Sequence, residues 1–380
     1  MKTIHILLLV FVLWVILQDR NDGYQIEKYS ISGLATDQCW YGLAYSPDLF
    51  MWVATGYSTT GLEYGCSAYS YDSYHWFTVD PTTGGIPIQS WQSVAYGMTQ
   101  NGPLFVAGAQ IYNGPNTGPQ GTSNYTSATS TDGINWQPNN SLPTFTSWEI
   151  YFDSVNQQFI AGGSTSSIHN GISGTTMYSS PDGINWTLIN SIQGFNSSAM
   201  CEGLNQIVTV GSVNSSQVYP LVYQYDETNS LSTFQPNGSN LPTGTFGTYW
   251  YKDVSYINKL YYTCNWKSLG VYSSLDGINW TQVILNGIPL PVYGVSGPPL
   301  LVRYFNGLYI VATSNDIYFS SDINGQFTPC YKTWKGAISP TRCEHGTNVD
   351  GVDKIVIICC FNYNFAAVTS HDGMTWFVTV

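Results

Sequence analysis

The apolar positions of this chain fall in short runs that are repeatedly interrupted by Asn, Asp, Gly or Ser. Trp91-Gln92-Ser93-Val94-Ala95-Tyr96 and Trp148-Glu149-Ile150-Tyr151-Phe152 each open on an aromatic residue. Leu104-Phe105-Val106-Ala107-Gly108, Phe159-Ile160-Ala161-Gly162 and Leu308-Tyr309-Ile310-Val311-Ala312 are almost continuously apolar. Runs of this length bounded by turn residues predict short strands, and Asp-Gly or Asn-Gly between them predicts hairpins. No stretch after the first two dozen residues keeps a helical period. The expected fold class is all-β.

The strands recur in a fixed order. Ser130-Thr131-Asp132-Gly133-Ile134-Asn135-Trp136 reappears as Ser180-Pro181-Asp182-Gly183-Ile184-Asn185-Trp186, as Ser274-Leu275-Asp276-Gly277-Ile278-Asn279-Trp280 and as Ser370-His371-Asp372-Gly373-Met374-Thr375-Trp376. Looser copies surround Asp72 with Trp76, Asp226 with Phe234, and Asp322 with Phe327. The closing aromatics lie about 50 residues apart, and a period of about 40–50 residues with four strands per unit is that of a propeller blade. Each unit reads as a first strand opened by an aromatic, a hairpin, a second strand, a variable link, a third strand ending in Tyr-Ser, the Asp turn, and a fourth strand from the Trp. The prediction is a seven-bladed β-propeller with four antiparallel strands per blade over residues 39–380.

An Asp at such a corner has a mechanical use. Its carboxylate accepts hydrogen bonds from backbone N–H groups two or three residues on, while Gly supplies positive φ and Trp fills the space between sheets. Asp72, Asp132, Asp182, Asp226, Asp276, Asp322 and Asp372, with Trp76, Trp136, Trp186, Trp280 and Trp376, are therefore read as structural. At these residues the unit resembles the Asp-box (BNR) repeat of sialidase-like β-propellers, in a shortened Ser-x-Asp-Gly-x-x-Trp form. That resemblance implies the fold and leaves activity open, because glycosidases, lectin-like modules, sorting receptors and assembly factors share it.

The N-terminus changes the picture of where the protein works. Met1-Lys2-Thr3, the apolar run Ile6 to Leu17 and the polar Gln18-Asp19-Arg20-Asn21-Asp22 fit a secretory signal peptide over residues 1–23, being too short to span a bilayer. The expected location is extracellular or at a cell or particle surface. Two features agree with export. Eight cysteines suggest disulfides, with Cys39–Cys66, Cys330–Cys343 and Cys201–Cys264 the pairs to test and Cys359-Cys360 adjacent in a strand-like run. Sequons at Asn124, Asn139, Asn185, Asn196, Asn214, Asn237 and Asn279 are glycan acceptors in an exported chain.

Composition narrows the function classes. Charged residues are 9% of the chain and the net charge is −12, so no basic face is available for nucleic acid. A sialidase site, as the resemblance implies it, needs three Arg on the substrate carboxylate, a Tyr nucleophile paired with Glu, and an Asp acid. This chain has Arg20, at the signal-peptide border, Arg303 and Arg342, so the triad cannot be built. Other glycosidases need two carboxylates, and Glu149, Glu202, Asp253 and Glu344 fall in or beside predicted first strands, which line a propeller's axis. Glu149, Asp253 and Glu344 are the catalytic candidates, with Asp253 beside Lys252 and Glu344 beside His345 the pairs to watch. His5, His75, His169, His345 and His371 lack metal-ligand spacing, and neither a metal nor a cofactor is expected.

Trp40, Trp91, Trp148 and Trp250 open first strands and are the candidate ligand-binding aromatics, since such faces stack on sugars; the competing assignment is packing between blades. The links Ile111–Ser127 and Ser164–Thr175 could shape a site. The reading is a non-catalytic propeller for recognition or scaffolding, binding a glycan or an extracellular protein; the alternative is a glycoside hydrolase with a carboxylate pair. Residues 24–38 contain a further strand-like stretch, Gln25–Ile31, that either closes the ring or adds to a neighbouring molecule as a donor strand, giving a homo-oligomer or filament.

Overall fold

A computed structural model of the chain describes Leu34 and residues 38–58, 66–109, 125–142, 146–164, 174–193, 195–213, 217–225, 231–234, 241, 251–265, 270–289, 298–334, 338, 340–359 and 366–379. All regular structure among the described residues is β, and no helix long and apolar enough to cross a membrane occurs there. The strands form small antiparallel sheets, six with four strands and one with five. Every sheet takes its four antiparallel strands consecutively from the chain, so each is a local meander. The innermost strands, in chain order, are Gln38–Ser46, Trp91–Thr99, Thr146–Asp153, Phe195–Gly203, Tyr251–Ile257, Pro299–Phe305 and Pro340–Thr347. Each contacts the next, and the last contacts the first. This cyclic order makes the fold a β-propeller, with a bore bounded by the inner strands.

One irregularity recurs around the ring. Every inner strand has a register shift against its second strand at the same point, between Trp40 and Gly42, Trp91 and Ser93, Ser147 and Glu149, Ser197 and Ala199, Tyr251 and Asp253, Pro299 and Leu301, and Pro340 and Arg342. A bulge bends the strand and re-aims its side chains. The residues that follow it, Gly42, Ser93, Glu149, Ala199, Asp253, Leu301 and Arg342, occupy equivalent positions.

Three residues further on stands an aromatic in most sheets, and one beyond that a small residue in several. Tyr45 of the first sheet sits over Gly346 of the seventh, Phe152 of the third over Gly97 of the second, and Tyr256 of the fifth over Gly203 of the fourth. A Cβ at any of these glycines would lie 2.0–2.4 Å from the ring. The contact is ring into notch, and it fixes the spacing of neighbouring sheets.

The repeated Asp turns form the outer half of the same joints. Asp132 Oδ1 accepts the N–H groups of Ile134 at 2.9 Å and Asn135 at 2.7 Å, and its Oδ2 accepts Asn135 Nδ2 at 2.7 Å. Asp182 and Asp276 repeat all three bonds, and Asp372 repeats the two backbone ones. At Asp276 burial alone would raise the pKa, but the Asn279 and Ile278 donors outweigh it and hold the carboxyl down to about 2. The Trp indoles donate back to the turn, Trp136 Nε1 to Gly133 O at 3.2 Å and Trp280 Nε1 to Gly277 O at 3.0 Å. Asp322 takes one such bond, from Asn324 N–H at 3.0 Å; Asp226 lies outside the described residues. Gly133 has φ of 70°, and a Cβ there would meet Met51 Cε and Val53 Cγ2 of the first sheet at 2.6 Å. The first sheet has Ser73 instead, at φ 67°, and its hydroxyl bonds Thr369 Oγ1 of the seventh sheet at 2.8 Å. Ring closure rests on that bond, on Thr341 Oγ1 donating to Trp40 O at 2.6 Å, and on a cluster joining Trp40, Trp52 and Trp76 to Val356 and Ile358.

Three expectations are corrected here. Cys66, Cys201, Cys264, Cys330, Cys343 and Cys359 are buried and not disulfide-bonded, so none of the three proposed disulfides forms; Cys39 is disulfide-bonded, and Cys360 lies outside the described residues. The six thiols occupy space between sheets, where a Cys packs as a small apolar side chain. Trp40 and Trp91 are fully buried, so they fill the inter-sheet core and are not ligand-binding. Asn139 has its side-chain nitrogen buried and its oxygen bonded to Ser127 and Ser141, which leaves no room for a glycan. Asn185 and Asn279 are exposed beside their Asp partners, while Asn124, Asn214 and Asn237 and the side chain of Asn196 lie outside the described residues.

Gly133→Ala is expected to lower stability by about 1–3 kcal/mol, because the methyl group both strains the left-handed turn and intrudes on Met51 and Val53. Urea denaturation of the two proteins measures it; an unchanged midpoint would mean that the turn does not press on the neighbouring sheet.

Candidate functional site

The bulge positions bring the channel charges together. Glu149, Asp253 and Arg342 occupy the equivalent post-bulge site of three inner strands, and Arg303 and Glu344 stand two residues later on theirs. Arg303 grips Asp253 in bidentate fashion, Nη1 to Oδ2 at 2.6 Å and Nη2 to Oδ1 at 2.9 Å, and also donates from Nη1 to Val302 O at 2.8 Å and from Nε to Cys343 O at 3.3 Å. Arg342 Nη2 donates to Glu149 Oε2 and Nη1 to Thr341 O. These are ion pairs with limited solvent: side-chain exposure is 4% at Asp253, 20% at Arg303, 12% at Glu149 and 18% at Arg342.

The two pairs differ in what they span. Asp253 and Arg303 belong to adjoining sheets, the fifth and sixth. Glu149 and Arg342 belong to the third and seventh, which are not neighbours: the first and second sheets lie between them on one side, and the fourth, fifth and sixth on the other. The Glu149–Arg342 bond therefore crosses the bore. It is a strut inside the ring.

The electrostatics follow from burial. Desolvation raises Glu149, and although Arg342 opposes this, its carboxyl is pushed up to about 7. Glu344 is likewise pushed up to about 7, by burial first, with Arg303 pulling down and the charge of Glu149 pushing up. Arg303 is disfavoured by burial, but the charge of Asp253 more than compensates and raises it. Burial pushes the Cys343 thiol up to about 12 and raises Cys201 and Cys264 well above their ordinary value, so these thiols are unreactive. His345 is lowered by burial and then by Arg303. Tyr151, raised by burial, feels both Glu202 and Glu344 and accepts the Glu202 N–H at 3.0 Å. Three acids facing two guanidiniums can hold a proton near neutrality and bind polar groups. No group of His, Cys, Asp and Glu among the described residues is arranged to hold a metal.

Of the sequence candidates, Glu149, Asp253 and Glu344 meet in this cluster. Glu202 does not: its carboxylate accepts Ser154 N–H and Oγ–H at 3.0–3.2 Å. The partner of Asp253 is Arg303, with Lys252's side chain outside the described residues, and His345 stands beside Phe305. Trp250 and the side chain of Trp148 also lie outside them, as do most of the links 111–127 and 164–175. Sequence reasoning missed Arg303, Arg342 and Tyr151 as channel groups. Aligning the chain on the bulge instead of on the Asp turn would have placed all three.

No protein-family model and no curated protein matches the chain. Solved structures do. The Dos1 propeller is 11% identical over 92% of this chain and 96% of its own, with a TM-score of 0.50. Sqt1 of Saccharomyces cerevisiae is 10% identical over 89% and 94%, TM-score 0.48, and the α-L-arabinanase of Penicillium chrysogenum, solved with arabinobiose, 12% over 73% and 91%, TM-score 0.45.

Arg342→Met should destabilise the protein by about 3–5 kcal/mol, since it leaves Glu149 buried without its cation. Combining it with Glu149→Leu should recover most of that loss. Raised carboxyl pKa values mean that the folded state holds protons that the unfolded state releases above its own pKa near 4.5, so stability should fall from about pH 4.5 to 7. Chemical denaturation across that range checks both statements, and Glu344→Gln should flatten the pH dependence.

Proposed function

We propose that the chain is an exported, seven-bladed β-propeller of Asp-box type that works by recognition and not by turnover, binding a glycan or an extracellular protein. The observation that carries this reading is the pairing of the bore acids. A glycosidase needs two carboxylates flanking the scissile bond, one to protonate and one to attack or activate water. Here Asp253 is held in a bidentate grip and Glu149 is tied to Arg342 across the bore, which leaves Glu344 as the one acid of the three with no ion pair among the described residues. Paired charges of this kind stiffen a ring and present polar groups to a ligand.

The face for recognition follows from strand direction. Links from first to second strand and the Asp turns emerge at one end of the ring; links from second to third strand and from sheet to sheet emerge at the other. The second-to-third links range from residues 314–316 in the sixth sheet to 110–126 in the second. Variation in length at one end of a rigid scaffold is where binding specificity is built, and the low charge of the chain, 9%, suits neutral hydrogen bonding to a glycan or protein. The second reading, a glycoside hydrolase, draws on Glu149 and Glu344 both lying near 7, the range for an acid–base pair.

Binding on a glycan array without release of aryl alcohol from nitrophenyl glycosides is the expected outcome. Glu149→Gln and Glu344→Gln should leave that blank rate unchanged. Hydrolysis by the unaltered protein that both substitutions abolish would transfer the assignment to the hydrolase.

A further inference from the structure

The hairpins between first and second strands and the Asp turns share one end of the ring, the hairpins nearer the bore and the turns outside them. Hairpins abut the Asp turn of the following sheet, as where Gln206 Nε2 donates to Asp276 O and Asn306 Nδ2 to His371 O, both at 2.9 Å. The two sets form one surface, opposite the face with the variable links.

Two of these hairpins break the local rule for their turns. Leu204-Asn205, Asn258-Lys259 and Asn306-Gly307 are two-residue turns with both residues at positive φ. Such turns favour Asn or Gly, and Leu204 stands where the fifth and sixth sheets have Asn. Phe50, at φ 48°, stands where the third sheet has Gln157, immediately before the second strand. A bulky side chain is strained in this left-handed conformation, yet Leu204 is 53% exposed and Phe50 44%. Neither gives the core what it takes from the turn. Met98, Val155, Tyr304 and Val349 are also exposed at or beside the hairpins of the second, third, sixth and seventh sheets, so apolar side chains surround the mouth of the bore.

Outside them stand carboxylates that stay ionised. At Asp72, Asp132, Asp182, Asp276 and Asp372 burial works against the charge, but the donors of each turn outweigh it and hold the carboxyl below its ordinary value. Asp48 and Asp350 add exposed acids on the hairpins, with Lys259 and Lys354 the lysines beside them. This surface is apolar at its centre and anionic around it. It repels phosphates and anionic headgroups, and it repels a second copy presented face to face. Complementarity of charge selects a cationic partner.

We infer that this end of the ring docks a basic segment of another protein, whose apolar side chains sit among the hairpins while its lysines or arginines reach the Asp turns outside them. The surface is separate from the bore and from the variable face, so it does not depend on the recognition reading above. Assembly through the strand-like stretch Gln25–Ile31 is a different matter, since that stretch lies outside the described residues.

Fluorescence anisotropy with a labelled synthetic peptide, a Trp-Leu-Leu centre flanked by lysines, tests the inference. The unaltered protein should bind it with an affinity that falls as salt rises, and should not bind the same peptide with glutamates for lysines. Leu204→Asn should weaken binding about tenfold while leaving the protein at least as stable to urea, because Asn suits the turn. Phe50→Gln, which installs the third sheet's residue, should act alike. Asp350→Lys should weaken binding and flatten its salt dependence. Ile284→Asn, which removes a side chain 73% exposed at the other end of the ring, should change nothing. Failure to bind the lysine peptide, equal binding of the glutamate peptide, or full affinity in Leu204→Asn and Phe50→Gln would overturn the inference. So would binding of phosphatidylserine vesicles, or self-association of the unaltered protein that these two substitutions abolish.

Discussion

A four-stranded meander cannot bury either of its faces, and everything in this structure depends on how each sheet is seated against the next. The seat has two parts. Near the bore, an aromatic ring three residues beyond the bulge enters a notch left by glycine, as Phe152 does at Gly97 and Tyr45 at Gly346. At the periphery, the glycine of an Asp turn presses on the preceding sheet while the Asp carboxylate holds the turn in the conformation that permits it. Both parts replace a side chain with backbone at the point of closest approach, because only backbone fits there. Interiors packed to crystal density tolerate little extra volume, so the ring's radius is set by these contacts.

That radius decides what happens on the axis. Seven inner strands held at a fixed separation leave a bore in which side chains from non-adjacent sheets can meet, and Arg342 meets Glu149 there. The pair is not primarily a source of stability, since desolvating two ions opposes much of their attraction. Its effect is geometric: once the ring has closed, leaving either partner alone is far worse than keeping both. The bidentate Asp253–Arg303 pair adds a planar, directional contact between adjoining sheets. With the two guanidiniums thus engaged, Glu344, which has no ion pair among the described residues, feels a field in which burial and Glu149 outweigh the cations, and its carboxyl is pushed up to about 7.

The propeller was legible in the sequence because the turn chemistry is local. Ser, Asp, Gly and Trp of one copy all lie within seven residues of each other, so the motif that builds the corner is visible as a motif, and its recurrence counts out the units. The location of the acids on first strands was legible for the same reason. Their partners were not. Asp253 and Arg303 are 50 residues apart, and Glu149 and Arg342 are 193 apart; nothing local marks them as facing one another. The aromatics that open first strands misled for a related cause. Trp40 and Trp91 precede the bulge and are buried between the sheets, whereas the bulge re-aims the residue that follows it, and Glu149, Asp253 and Arg342 at that position carry the paired charges. Proximity in sequence likewise suggested cysteine pairs, whereas Cys201 and Cys264 lie in separate inter-sheet cores and Cys330 and Cys343 share one without bonding.

A meander of contiguous strands also settles how the ring can be closed. Folds that complete their last sheet with a strand from the other terminus gain a clasp, and the loop closed by that clasp is the whole chain. Among the described residues the first and seventh sheets are joined by side chains: the Ser73–Thr369 hydroxyl pair, Thr341 bonding Trp40 O, Tyr45 bonding Thr347 O, and the tryptophan cluster between the two sheets. The entropy of closing so long a loop grows only slowly with length, so a handful of buried contacts of this kind suffices to hold the termini together. The serine at position 73 fits that role. It occupies the left-handed site that four other turns fill with glycine, and the backbone strain its Cβ brings there is offset by the bond its hydroxyl makes. The partner is Thr369, on the sheet that completes the ring, so the one departure from the repeated glycine coincides with the joint where the first sheet must recognise the last.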